Sequence, residues 1–132
     1  MKKLNSKCDY IEARNENLRD EFFSLLAKGE HSTINELFPQ IAGKRARRFY
    51  INEERVLLLI RRYHRERKWP ARMNARRRKM LQDILRRVEI LQAFNPKLSL
   101  SDAVYEVVNS EAPSFYLTPR SIRTLLYAYL SA

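Results

Sequence analysis

The sequence predicts an all-α fold, and three features support that reading. Only two glycines occur in 132 residues, Gly29 and Gly43, too few for the tight turns of a sheet-rich fold or for a loop that cradles phosphate. Leu, Arg, Glu and Ala, all good helix formers, are abundant. Apolar residues also recur at spacings of three and four, the period of a helix with one buried face. Apolar residues make up 45% of the chain, enough to expect one compact body, or two small halves sharing a core.

The first helix is expected from about Lys7 to Ala27, with Ile11, Leu18, Phe22, Leu25 and Leu26 on one face and Gly29 ending it. A second, short helix is expected to start at "TINE", residues 33 to 36, where Thr33 and Glu36 have the spacing of a capping box. Pro39 is awkward in that helix, which begins or bends there. A third helix follows from Glu53 to about Arg67, capped by Asn52.

The same plan then repeats. A helix is expected from about Ala71 to the "NP" stop at 95 and 96, a short one from "SLSD" at 99 to 102, and a last one from Pro119 to about Leu130 behind the cap Thr118.

At an offset of 66, "KRARRFYINEERV" overlies "SEAPSFYLTPRSI", pairing Ala46 with Ala112, Phe49 with Phe115 and Tyr50 with Tyr116. Only seven identities fall in the 46 positions from Leu18 to Tyr63, so the weight rests on residue type: caps match caps and core positions match core positions. The pattern favours a tandem duplication over convergent helical patterning. It predicts two tandem, related three-helix units, residues 1–66 and 67–132, about six helices packed as one body. Phe49 and Phe115 are expected in the core, with Tyr50 and Tyr116 burying a ring while keeping a hydroxyl wet; stacking on nucleobases is the alternative.

No Walker, Rossmann or nucleophile-elbow pattern occurs. His31 and His64 lie on different elements with no second histidine or cysteine at ligand spacing, so neither an enzyme, a cofactor nor a zinc site is expected. The single cysteine, Cys8, cannot close an internal disulfide, which suits a reducing cytoplasm. The start "MKKLNSKCDY" has lysines but no apolar stretch after them, and no run is long enough to span a membrane.

Charge carries the functional expectation. Of a net +11, residues 61 to 79 hold ten Lys or Arg and one acid, a local +9, and eight of the ten are arginine. Arg61, Arg65, Lys68, Arg72, Arg76 and Lys79 are spaced by three or four and would form one stripe on a helix, with Pro70 breaking or kinking it. Arg62, Arg77 and Arg78 add to it, and Lys44, Arg45, Arg47 and Arg48 form a second cluster absent from the twin. Such density calls for an anionic partner. Nucleic acid is the first expectation, DNA before RNA, because arginine's flat fork fits phosphate and guanine edges. An acidic protein is the second, with Leu57 and Leu58 facing the other half or a partner chain, and a solvated basic face with no specific partner is the third. Trp69 either covers the kink at Pro70 or stacks on a base.

The succession of a helix, a short capped helix, a connection and a third helix resembles the trihelical helix-turn-helix class of DNA-binding proteins, in which the last helix enters the major groove. The connection from about Gly43 to Ile51 is longer than that class uses. The "A-x-x-F-Y" stretch, as in "APSFYLTPRS", is similar to a phrase in short bacterial proteins associated with mobile elements. These resemblances imply a DNA-related role, regulatory or accessory.

Overall fold

The computed structural model describes residues 7 to 131, with side chains from Tyr10 onward. The side chains of the lysines and of Cys8 in the start "MKKLNSKCDY" lie outside the described residues. Six α-helices follow in order: α1 Lys7–Lys28, α2 Leu37–Ala42, α3 Glu53–Glu66, α4 Ala75–Phe94, α5 Leu100–Val108 and α6 Pro119–Ser131, and the described residues contain no strand. No helix among them is long and apolar enough to cross a membrane.

Leu18, Phe22 and Leu25 bury the inner face of α1, and Gly29 ends the helix at φ +66, the left-handed region that glycine occupies without a Cβ clash. The next helix departs from expectation. Ile34–Glu36 is a 3-10 turn, and α2 starts at Leu37. A helix running from Ile34 would lose the Pro39 hydrogen bond; the restart puts Pro39 in a first turn, where an amide needs no partner in its own helix. The Glu36 carboxylate still reaches back, accepting from the Ser32 amide at 2.7 Å.

The twin stretches meet one another. Ala46 and Ala112 exchange two backbone hydrogen bonds of 3.0 and 2.9 Å as an isolated antiparallel bridge. Phe49 stacks on Tyr116, with ring centroids 6.0 Å apart, and Tyr50 on Phe115 at 6.1 Å. Beyond this crossing each third helix packs on the other half: α3 on α4 and α5, α6 on α1 and α2. The pairs α1 with α2 and α4 with α5 pack within their halves. A single hydrophobic core draws residues from all six helices. Leu57 joins its margin while Leu58 stays exposed.

Phe49 and Phe115 are buried, as expected of core residues. The tyrosine hydroxyls are held by side chains of the same protein. Tyr50 donates to Asn17 Oδ1 at 2.7 Å and Tyr116 donates to Asp83 Oδ2 at 2.6 Å, and Asn17 and Asp83 stand 66 residues apart, like the tyrosines themselves. A buried hydroxyl needs such an acceptor, since leaving it unpaired costs more than the bond returns.

Burial pushes the Tyr50 phenol up to about 12, against a smaller opposing pull from Arg47 and Arg48. Burial first, then the hydrogen bond to Asp83 and its charge, push Tyr116 in the same direction. Both shifts favour the neutral phenol in the folded state. Their stabilisation is complete below the ordinary value of 10.0 and is lost, for Tyr50, as pH rises from there towards about 12. The thermal midpoint is expected to fall across that window by circular dichroism, and Tyr50→Phe to fall less steeply; identical pH profiles for the two proteins would refute this.

Candidate nucleic-acid interface

The basic junction is not one helical stripe. α3 stops because Arg67 turns left-handed at φ 59, its amide donating back to Tyr63 O at 2.7 Å. Pro70 and Met73 close a turn at 3.1 Å, and Asn74 then caps α4, accepting from the Arg77 amide at 2.8 Å. The helix expected from Ala71 therefore starts at Ala75: a good capping side chain after a turn outweighs four more helical residues. Trp69 stacks on Tyr63, centroids 4.4 Å apart, and packs against the core margin. That contact matches a cover for the bend.

The new start puts Arg76, Arg77 and Arg78 in the first turn of α4, with no acid there. Cations at a helix N-terminus oppose the helix dipole, each at about 0.3–1 kcal/mol. Arg78 has a local acceptor, Met73 O at 3.0 Å. Arg76 and Arg77 face two adjoining clefts.

The larger cleft, about 380 Å³, is lined by Arg55, Arg72 and Arg77 with Leu59, Pro70, Met73 and Asn74. The smaller, about 230 Å³, is lined by Arg14, Arg76 and Arg77 together with Tyr50, Tyr116, Thr118 and Ser121 among others. The two share Asn74 and Arg77, and neither lining contains a carboxylate. Five arginines from α1, α3, α4 and the junction thus converge on one trough. Burial lowers the pKa of Arg14, whose side chain among the described residues bonds to neighbouring Asn15, at 3.2 and 3.3 Å.

Of the residues expected from the sequence, Arg72, Arg76 and Arg77 line the trough. Arg61, Arg65 and Lys68 are exposed on the last two turns of α3 and the connection after it. Arg62 is tied to Glu66 at 2.8 Å, and Lys79 to Asp83 at 2.8 Å. The Glu66 carboxyl is held below its ordinary value by the Arg62 hydrogen bond, with the charges of Arg65 and Lys68 adding to it.

The second cluster requires a correction. Arg45 pairs with Glu111 at 3.0 Å, Arg47 with Asp20 at 2.7 Å and Lys44 with Glu21 at 3.4 Å. Arg48 is buried, donating to Phe49 O at 2.9 Å and Ile51 O at 2.8 Å, with Glu53 at 3.7 Å. These side chains are engaged within the chain because the connection they occupy runs between the halves, next to acids of α1, α3 and the connection after α5. Arg48 in particular cannot reach a ligand.

Arg14 and Arg55 were not foreseen. One local signal marks both: neither has an acid three or four residues away on its own helix, whereas Arg62 has Glu66 and Lys79 has Asp83.

The chain matches no protein family, no curated protein and no solved structure.

Proposed function

We propose that this protein binds nucleic acid, duplex DNA before RNA, by seating the phosphate backbone on the arginine trough, in a regulatory or accessory role. One observation carries the reading: five arginines from four parts of the fold line two adjoining clefts whose linings contain no carboxylate. A solvated charged face mixes signs, as Arg62, Lys79 and Arg47 do elsewhere on this molecule. The trough does not, and Arg76 and Arg77 also stand against the α4 dipole. An arriving polyanion relieves both costs and releases its own counterions.

The preference for duplex DNA rests on the likeness to helix-turn-helix and mobile-element proteins. Groove docking by α3 is not part of the reading, because α2 packs on α6 and α3 on α5, so α2 does not brace α3 as that motif needs. The test is fluorescence anisotropy with labelled duplex DNA and RNA over a range of salt. Each neutralised phosphate contributes about 0.9 to the slope of log K against log salt, so five contacts give a slope of about −4.5. A flat salt response, or no binding at low salt, removes the proposal. Co-purification of an acidic protein that survives nuclease would favour the protein-docking reading instead.

A further inference from the structure

We infer that the smaller cleft is a seat for a single phosphoryl group, gripped from both halves of the chain. The inference deepens the nucleic-acid reading and rests on it for the source of the phosphate. Arg14 comes from α1, Arg76 and Arg77 from α4, and Ser121 from α6. At the 66-residue offset the position of Arg14 is held by Met80, which lines the same cleft. One half therefore supplies a cation where the other supplies an apolar wall.

Size and chemistry restrict the occupant. At about 230 Å³ the cleft is smaller than the roughly 300–1,000 Å³ of sites that enclose a drug-sized ligand. It has no room for a nucleoside together with its phosphate. The rings in its wall already have partners, Tyr50 against Phe115 and Tyr116 against Phe49. The tyrosine hydroxyls are also committed, to Asn17 and Asp83.

What remains are donors. Arg14 is half-buried with no carboxylate partner among the described residues. The Ser121 hydroxyl accepts from Thr118 Oγ1 at 2.9 Å, which leaves its own proton to donate. Guanidinium forks and a hydroxyl proton around a small, acid-free space fit a tetrahedral oxyanion. Tyr116, in the cleft wall, holds φ 57, a costly conformation for an aromatic residue.

The experiment uses the full chain. Its thermal midpoint is measured in inorganic phosphate against chloride at matched ionic strength and neutral pH. A midpoint that rises saturably with phosphate, and loses that rise in Arg14→Gln and Ser121→Ala, is expected. No rise over chloride overturns the seat, and so does a rise that Arg14→Gln leaves undiminished, which is general salt exclusion. Should Arg14→Gln fail to fold, Ser121→Ala and Arg76→Gln carry the comparison.

Oligonucleotides of one sequence with a 5′-phosphate or a 5′-hydroxyl then separate the sources. Tighter binding of the phosphorylated strand, by about tenfold and abolished in Arg14→Gln, marks a terminal phosphate. Equal affinities with a salt slope lowered by about one in Arg14→Gln mark a backbone phosphate. Steep salt dependence that Arg14→Gln leaves unchanged overturns the seat while the nucleic-acid reading stands. Stabilisation by phosphate with no nucleic-acid affinity preserves the seat and removes that reading.

Discussion

Glu53→Ala is expected to destabilise the protein by about 3–5 kcal/mol, the largest effect of any single substitution considered. Glu53 is 1% exposed at the start of α3, with Arg48 at 3.7 Å and the Asn109 side-chain amide donating to its other oxygen at 3.3 Å. Burial already lowers the Arg48 pKa, with the Glu53 charge the main force raising it back. Removing the carboxylate leaves a buried guanidinium with two backbone carbonyls and the face of Tyr50, 6.0 Å away, but no counter-charge beside it. Against a total stability of about 5–15 kcal/mol, that loss brings a domain of this size near unfolding. Urea denaturation of the two proteins measures it. The pair Arg48→Met with Glu53→Leu should recover most of the loss, since an apolar replacement of a buried ion pair is often neutral or better. A cost for Glu53→Ala under about 1 kcal/mol would show that Arg48 escapes to solvent when its partner goes.

The triple variant Arg72→Ala, Arg76→Ala, Arg77→Ala is expected to lower the salt slope for duplex DNA by about three, one for each phosphate contact removed. Folding should be little affected, because all three are exposed and form no ion pair among the described residues. Lys44→Ala with Arg45→Ala and Arg47→Ala likewise removes three positive charges from the chain and is the matched control. Those side chains already pair with Glu21, Glu111 and Asp20, so the slope should stay close to that of the unmodified protein. Equal losses in both variants would mean that net charge alone drives binding and that the trough has no special part in it.

The helices were legible in the sequence because periodicity and capping are local properties: Asn52, Ser99 and Thr118 each accept the amide three residues on, as their positions suggest. Where a local rule competed with another, the position slipped. Pro39 displaced the start of α2, and Asn74 displaced that of α4. The site was half legible. Density of charge pointed to Arg72, Arg76 and Arg77, yet gave the same weight to Arg48, whose fate depends on Glu53 folding against it. Arg14 and Arg55 carried no density signal at all. They enter the trough only because α1 and α3 are brought beside the start of α4, and no window of sequence contains that proximity.

The exchange of third helices has a bearing on synthesis. A ribosome that has released residues up to 66 has delivered α1, α2 and α3, yet α3 packs on helices not yet made, and the helix that packs on α1 and α2 is α6, Pro119–Ser131. The nascent chain can therefore close α3 against α4 and α5 first, while α1 and α2 keep apolar surface open until α6 emerges.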